Sequence, residues 1–297
     1  MEYILRTKGL TKKFGAKCAV NAIDVNVEKG DIYGFIGRNG AGKTTAMKLI
    51  LGLLTPTAGE IELFGGEPLE KARGRIGSLI EAPGIYKNCT AYENMKRFSI
   101  IYGGTDAEIK ELLGLAGLEN VGKKKAGKFS LGMKQRLGMA IAMLGKPELL
   151  ILDEPINGLD PEGIKDVRNA VLNLNREKGV TFLISSHLLD ELAKIVTKYG
   201  IINDGVLTEE ISAEELTRKC ESGVKACVDD TEKAITALSA LVPKQDIRVL
   251  KRGELVLPIA LDAAEVNETL VKNGVKVSEL GAMRGDMEEY FIERLGK

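Results

Sequence analysis

The sequence predicts an α/β fold over its longer N-terminal part, followed by a smaller α+β module. Two observations indicate the α/β part. A glycine-rich loop, Gly37–Thr44, lies between a strand pattern and a helix pattern, and an acidic pair follows the apolar run Leu149–Leu152. Four consecutive apolar residues are typical of a central strand covered on both faces. A third observation, the alternation of strand and helix patterns after residue 223, indicates the separate module.

The chain divides into two predicted domains, residues 1–219 and 220–297. Its 297 residues, 44% of them apolar, suffice for the cores of one large domain and one small one. In the first domain, Tyr3–Asp31 and Gly59–Phe64 are expected to form an antiparallel edge sheet beside the main sheet. Residues of about 91–148 are expected to interrupt this core as a helical subdomain.

The loop Gly37–Thr44 fits the phosphate-binding pattern G-x-x-x-x-G-K-[ST]. It follows a predicted strand at Ile32–Ile36 and precedes a predicted helix at Thr45–Leu53. Its glycines let backbone N–H groups turn inward, and the helix N-terminus adds positive potential where phosphate charge would lie. Lys43 is therefore predicted to reach the β and γ phosphates of a nucleotide, and the Thr44 hydroxyl to bind Mg²⁺.

Polar side chains follow two predicted buried strands. Asp153 and Glu154 come directly after Leu149–Leu152, and His187, the only histidine, follows Val180–Ser186. Ligands of open α/β sheets bind at the carboxyl ends of strands. Asp153 is thus predicted to hold Mg²⁺ and Glu154 to polarise the attacking water. His187 is predicted to be catalytic, although a lone histidine is more often an incidental hydrogen-bonding residue.

Three further motifs complete a family resemblance. The segment Phe129–Met133 is similar to the signature sequence of ATP-binding cassette (ABC) proteins, Gly158–Asp160 to their aspartate loop, and His187 to their switch histidine. With the phosphate loop and the acidic pair, the chain resembles the ATP-binding subunit of an ABC transporter from Leu5 to about Leu216. The resemblance implies a P-loop NTPase fold of the ABC type, with an antiparallel edge sheet and a helical subdomain.

In such proteins two subunits enclose two ATP molecules. The resemblance implies that Ser130 and Gly132 face the phosphate loop of the other subunit, and that Phe14 stacks on adenine. The alternative for Phe14 is packing within the small sheet, which needs the same side chain. The implied nucleotide-binding residues are Phe14, Ala19, Gly37, Asn39, Gly40, Ala41, Gly42, Lys43, Thr44, Thr45, Ser130, Gly132 and Asp160. The implied catalytic residues are Glu154, His187 and Lys43, and the implied metal ligands are Thr44, Asp153 and Glu81.

The chain departs from the usual family pattern at several positions. Leu131 and Met133 replace a glycine and a glutamine of the signature, and Arg38 stands where proline is common. Glu81 occupies the position of the family's glutamine loop and is followed by Pro83-Gly84. Glutamate at this position resembles the subgroup linked to bacitracin resistance and lantibiotic immunity. The alternative is that Glu81 is a solvated loop residue with no metal role.

Charge and hydropathy restrict the classes of partner. The chain has 42 Lys and Arg residues and 42 Asp and Glu residues. It therefore has no net positive charge that would attract nucleic acid, and no direct nucleic-acid binding is expected. No stretch reaches the roughly 18 to 20 apolar residues of a spanning helix, and no signal-peptide pattern begins the chain. The four cysteines have no metal-type spacing and suit a reducing compartment. We expect a cytoplasmic subunit, peripheral at the inner face of the membrane.

The C-terminal module follows a polar break at Glu221–Gly223. Its predicted elements alternate in the order strand, helix, strand, strand, helix, strand, with a last helix at the end. Their bounds are Val224–Val228, Thr231–Leu241, Asp246–Leu250, Glu254–Ile259, Ala263–Lys272, Val275–Leu280 and Met287–Leu295. This order predicts a small ferredoxin-like module with one extra helix. It contains no catalytic constellation. We therefore interpret it as a dimer-supporting or regulatory domain.

Together these features predict an ATPase subunit that dimerises around two ATP, with itself or with a paralogue, and drives a separate membrane permease. The subgroup resemblance implies export of, or resistance to, an antimicrobial peptide or lipid-like compound. Ile85, Tyr86 and Tyr92 are candidates for the permease contact, against local packing. An alternative is a soluble ABC ATPase acting on nucleic acid or ribosomes. A further alternative, a regulatory protein with an inactive site, disagrees with the intact set Lys43, Asp153, Glu154 and His187.

Overall fold

The structure, a computed structural model, describes residues 2–220, 223–258, 261–283 and 287–294. Contacts divide it into two compact units. One unit comprises the described residues of Met1–Ala213 and Phe291–Lys297, and the other is Glu214–Tyr290. The units part at Ala213, a few residues before the predicted boundary at 219, and the end of the last helix belongs to the first unit. The predicted positions Glu221, Ser222, Ile259 and Leu295 lie outside the described residues.

The first unit contains two sheets and a set of helices. Its strands are β1 (Tyr3–Phe14), β2 (Lys17–Ile23), β3 (Asn26–Glu28), β4 (Ile32–Ile36), β5 (Ala58–Leu63), β6 (Ile76–Leu79), β7 (Leu149–Asp153), β8 (Thr181–Ser186), β9 (Lys198–Asn203) and β10 (Val206–Ser212). Its helices are α1 (Lys43–Ile50), α2 (Leu69–Arg73), α3 (Ala91–Tyr102), α4 (Asp106–Leu115), α5 (Leu131–Ala142), α6 (Pro161–Lys178) and α7 (Leu189–Leu192). Strand β1 pairs antiparallel with β2, β3 and β5, which forms the expected edge sheet.

The main sheet has the strand order β10-β9-β4-β8-β7-β6. Strands β4, β6, β7, β8 and β9 run parallel, and β10 pairs antiparallel with β9. Strands β4, β7 and β8 are buried along their whole length. The four consecutive apolar residues of β7 predict this burial. Their register sets Ile36 beside Ser186 and Asp153 beside Ser185. The carboxyl ends of these three strands therefore meet at one edge of the sheet.

Helix α1 begins earlier and ends earlier than the predicted Thr45–Leu53. It starts at Lys43 because Gly42, at φ 106°, turns the chain directly into the first helical residue. It ends at Ile50 because Gly52 adopts the left-handed conformation, at φ 76°, that commonly closes a helix. Met47, Leu49 and Ile50 are buried in the core between the two sheets. Packing of this helix thus fixes the position of the loop that precedes it.

Helices α3, α4 and α5 form the helical subdomain predicted for about residues 91–148. Capping boxes start the first two helices, with Thr90 and Glu93 in one and Thr105 and Glu108 in the other. In each box the threonine side chain accepts from the main-chain N–H of the glutamate, and the glutamate side chain accepts from the main-chain N–H of the threonine. The apolar side chain of Met95 on α3 is fully buried. Within the described residues, no helix combines the length and the apolar character that crossing a membrane requires.

The second unit has its own apolar core and a four-stranded antiparallel sheet. After α8 (Ala213–Lys219), its elements are β11 (Gly223–Val228), α9 (Thr231–Leu238), β12 (Arg248–Lys251), β13 (Glu254–Pro258), α10 (Ala263–Lys272) and β14 (Val277–Met283). The last helix, α11 (Met287–Arg294), begins in this unit, which ends at Tyr290. The strand order β12-β13-β11-β14 is that of a ferredoxin-like module. Strand β12 begins later than the predicted Asp246, because Lys244–Asp246 forms a 3₁₀ turn.

Candidate functional site

The loop between β4 and α1 follows a main-chain path that requires glycine. A Cβ atom on Gly37 would lie 2.4 Å from the carbonyl oxygen of Ile202, and one on Gly42 would lie 2.4 Å from that of Ala19. Gly42 also has φ 106°, in the left-handed region. The close approach of these neighbours shapes a narrow cradle, and the first turn of α1 supplies free N–H groups at its end.

Lys43 extends its ammonium group back into this loop. Nζ donates to the carbonyl oxygens of Gly37 at 2.6 Å and Arg38 at 3.2 Å, and it lies 3.1 Å from Glu154 Oε1. Only 5% of the side chain is exposed. A buried cation beside a helix N-terminus can bind phosphate oxygens, and this role of Lys43 stays a prediction.

Thr44 and Asp153 meet across the next turn. The Thr44 hydroxyl donates to Asp153 Oδ2 at 2.8 Å, and Asp153 is buried at the end of β7. The second carboxylate oxygen, Oδ1, accepts a hydrogen bond of 2.6 Å from the Ser185 hydroxyl. Hydroxyl and carboxylate oxygens are the hard donors that Mg²⁺ prefers, and one or two protein oxygens beside substrate phosphates are its usual set. The residues present therefore fit a magnesium site.

Glu154 and His187 form the third part of the cluster. His187 Nδ1 lies 2.7 Å from Glu154 Oε2. Glu154 has φ 48°, a left-handed conformation rare for a non-glycine residue, which turns its carboxylate away from the strand direction of β7. Its Oε1 is buried and lies 3.1 Å from the Nζ of Lys43, with which it forms an ion pair. A carboxylate in this position can accept a proton from water.

A cavity of about 350 Å³ adjoins Lys43, Thr44 and Glu154. Phe14 on its wall is 49% exposed, and the Nζ of Lys12 lies 5.2 Å from its ring centre. The ring is thus half-exposed, with the ammonium group of Lys12 over one face. Its stacking on adenine stays a prediction. The residues that line the cavity are Phe14, Lys17, Ala19, Arg38, Asn39, Gly40, Ala41, Gly42, Lys43, Thr44, Thr45 and Glu154.

The structure places Ser130, Gly132 and Asp160 apart from this cavity. Ser130 caps α5 by accepting from Met133 N, and Asp160 caps α6 by accepting from Gly163 N. A Cβ atom on Gly132 would lie 3.3 Å from the Cα of Gly163, so these two helix starts are close together. The three predicted nucleotide-binding residues therefore form a second group, outside the lining of the phosphate cavity.

Glu81 also lies outside the cavity lining. Its side chain is 69% exposed, and its Oε1 accepts a hydrogen bond of 2.8 Å from Lys48 on α1. This hydrogen bond, and then the charge of Lys48, lower the pKa of Glu81. Glu81 has φ 63°, so the turn after β6 is a constrained one. Its metal role stays a prediction, and its partner here is a lysine.

Three described residues of the cluster and its cavity were absent from the predicted site residues. Ser185 bridges Asp153 and the main-chain N–H of Glu154, and Lys17 and Arg38 line the cavity. Lys17 is the register partner of Phe14 across the β1–β2 turn. The predicted edge sheet could therefore have indicated that Lys17 lies next to Phe14. For Ser185 the only signal was its place at the end of a predicted buried strand.

Comparisons with known proteins identify the family. A family profile described as ABC transporter matches residues 20–157. The bacitracin transport ATP-binding protein BcrA of Bacillus licheniformis is 42% identical over 301 aligned residues, which cover 100% of this chain and 98% of that protein. The chain belongs to the ABC transporter family. It is an ABC ATPase subunit that binds ATP and couples its hydrolysis to transport, as the motifs predict.

Further relatives of this ABC ATPase are consistent with that assignment. The lantibiotic transport ATP-binding protein SrtF of Streptococcus pyogenes is 42% identical, over 71% of this chain and 93% of that protein. A crystal structure of the ADP conformation of an ATP-binding cassette, MJ1267, matches with a TM-score of 0.65 and 28% identity, over 72% and 93% of the two chains. These relatives are transport proteins. They give no support to the alternative of an ATPase acting on nucleic acid or ribosomes.

Proposed function

We propose that this ABC ATPase uses Mg²⁺ and ATP to drive a separate permease that exports, or confers resistance to, an antimicrobial peptide or lipid-like compound. The observation that carries the proposal is the cluster of Lys43, Glu154 and His187 beside Thr44 and Asp153. Support for the substrate class comes from the full-length similarity to a bacitracin transport protein and the partial similarity to a lantibiotic transport protein.

The residues of the cluster have distinct tasks in this proposal. Lys43 and the loop N–H groups bind the β and γ phosphates, and Thr44 and Asp153 would hold Mg²⁺, which neutralises phosphate charge when bound. Glu154 orients the attacking water and accepts its proton on the carboxylate. The Nδ1 of His187 contacts Glu154, and as an imidazolium, with hydrogen on both ring nitrogens, His187 donates from the other nitrogen to the γ phosphate.

Dimerisation follows from the second group of predicted residues. Ser130, Gly132 and Asp160 lie at two neighbouring helix starts and outside the phosphate cavity. In our proposal they complete the nucleotide site of a second subunit, so that two chains enclose two ATP. A homodimer and a heterodimer with a paralogue both satisfy this arrangement.

The permease contact is proposed for the helical subdomain. Ile100 and Ile101 near the end of α3 are 83% and 74% exposed. Among the predicted contact residues, Tyr86 is also exposed. Its ring centre lies 5.9 Å from that of Phe98, which is on α3 like the two isoleucines. Ile85 is only half-buried and Tyr92 partly exposed. An exposed apolar patch of this kind suits an apolar partner. This contact would place the chain at the inner face of the membrane.

This function has a direct test in the chain and its cognate permease, expressed together in a bacitracin-sensitive host. Wild type should co-purify with the permease and raise resistance to bacitracin. Ile101→Glu should weaken co-purification by about tenfold, since a charge replaces an apolar contact, and should leave basal ATPase activity unchanged. Val271→Glu, an exposed aliphatic position on α10, is the matched control. Co-purification without any gain in resistance to peptide antibiotics would contradict the proposed substrate class.

Glu81 provides a second test. If its carboxylate serves Mg²⁺ during hydrolysis, its extra negative charge is tolerated beside the phosphates only when the metal is bound. ATPase activity should then depend more steeply on Mg²⁺ in wild type than in Glu81→Gln, and Glu81→Ala should lose most turnover. Lys48→Met is the control, because it removes the present partner of Glu81. Superimposable magnesium curves for wild type and Glu81→Gln, or an equal loss in Lys48→Met and Glu81→Ala, would exclude the metal role.

A further inference from the structure

Ser185 lies near the carboxyl end of β8, and its side chain contacts both members of the acidic pair. The residue is fully buried and stands opposite Asp153 in the parallel register of β7 and β8. Its hydroxyl is 2.6 Å from Asp153 Oδ1 and 2.8 Å from the main-chain nitrogen of Glu154. One buried hydroxyl therefore touches the proposed metal ligand and the residue that carries the proposed general base.

The chemistry of the partners fixes the direction of both hydrogen bonds. An amide N–H can only donate, so the Ser185 oxygen accepts from Glu154 N. An ionised carboxylate can only accept, so the single hydroxyl proton is directed to Asp153. The hydroxyl is thereby locked in one orientation. Alanine at this position would leave a buried carboxylate oxygen and a buried N–H group without these partners.

Each hydrogen bond fixes one functional geometry. With Oδ1 of Asp153 held by Ser185, Oδ2 is left for the Thr44 hydroxyl at 2.8 Å, which orients the carboxylate plane. The bond to Glu154 N supports the left-handed turn at φ 48°, and that turn brings the Glu154 carboxylate to Lys43 and His187. Strained conformations of this kind persist only where surrounding contacts hold them.

We propose that Ser185 is a positioning residue for ATP hydrolysis, which orients Asp153 toward Mg²⁺ and holds the turn that aims Glu154 at the attacking water. The proposal rests on the proposed functions of Asp153 and Glu154. Ser185 itself touches neither nucleotide nor metal in this scheme. Its loss should therefore reduce the metal-dependent steps and spare the binding of metal-free nucleotide, which depends on the loop and Lys43.

The neighbouring residue supplies a matched control. Ser186 is equally buried on the same strand, but its hydroxyl accepts from the N–H of Leu188 at 2.9 Å and contacts neither carboxylate. Ser186→Ala thus removes a buried serine hydroxyl without disturbing the acidic pair. Ser185→Thr keeps the hydroxyl and tests whether that group is sufficient.

The experiment measures two quantities in the full chain for wild type, Ser185→Ala, Ser185→Thr and Ser186→Ala. The first is ATPase turnover. The second is the affinity for a non-hydrolysable ATP analogue, with Mg²⁺ and with a chelator. Ser185→Ala should lose turnover by about 10- to 100-fold. The factor by which Mg²⁺ raises the affinity for the analogue should be about tenfold smaller than in wild type. The affinity for the analogue in the presence of the chelator should stay at the wild-type value. Ser186→Ala and a stably folded Ser185→Thr should behave like wild type.

Two results would overturn the role of Ser185. One is wild-type turnover and magnesium response in Ser185→Ala, and the other is an equal loss in Ser186→Ala, which would indicate a general packing effect. Inactivity of the wild-type chain itself would instead contradict the proposed function. The two failures are therefore distinguishable.

Discussion

Glu154→Gln should lose at least about 100-fold in ATPase turnover while it keeps the ability to bind ATP. The amide preserves the size of the side chain but cannot accept a proton from water. It also removes the negative charge that lies 3.1 Å from Lys43, in the cavity where phosphate charge would bind. Repulsion of the γ phosphate therefore falls, and the affinity for ATP should stay equal or rise.

The same substitution should trap the chain as an ATP-bound dimer. A site that binds ATP and cannot hydrolyse it keeps the dimer closed, so size-exclusion chromatography with ATP and Mg²⁺ should show a dimer for Glu154→Gln. Glu162→Gln is the control, since it neutralises an exposed carboxylate in the first turn of α6. A Glu154→Gln variant that stays monomeric and hydrolyses ATP at the wild-type rate would remove Glu154 from the mechanism.

His187→Ala should lower turnover by about 10- to 1,000-fold and change ATP affinity much less. His187 holds the proposed general base through a contact of 2.7 Å between Nδ1 and Glu154 Oε2. As an imidazolium it can also donate from its other ring nitrogen to the charge that develops on the γ phosphate. Both contributions act on the reacting groups. In the proposed scheme the loop and Lys43 bind the phosphates, so ATP affinity depends on them and not on His187. Steady-state kinetics beside equilibrium nucleotide binding separate the two quantities.

A double-mutant cycle gives the sharper form of this prediction. If His187 and Glu154 act as one unit, the combined variant Glu154→Gln/His187→Ala should be no slower than the slower single variant. Independent residues would instead give losses that multiply. Multiplying losses, or unchanged turnover in His187→Ala, would return His187 to the role of an incidental hydrogen-bonding residue.

The local motifs were predictable because their information lies within a few residues. The loop Gly37–Thr44 was recognisable from its own residues, since glycine readily adopts the φ of 106° found at Gly42. The buried strand β7 was visible as a continuous apolar run. The order of elements in the second unit followed from alternating patterns. The exact ends of α1 were not predicted, because helix ends depend on single turn residues such as Gly52.

What the sequence by itself determined is therefore the fold class, the phosphate loop, and the residues that follow each central strand. Tertiary structure alone decided which of these residues touch. The bond from Ser185 to Asp153 spans 32 positions and depends on the register of β7 against β8. A strand buried on both faces has no polar alternation, so its sequence carries no signal for register. The pairing of Glu81 with Lys48, 33 positions apart, likewise depends on where α1 packs. Hydrogen bonds require distances accurate to a few tenths of an ångström, and only the packed chain sets them.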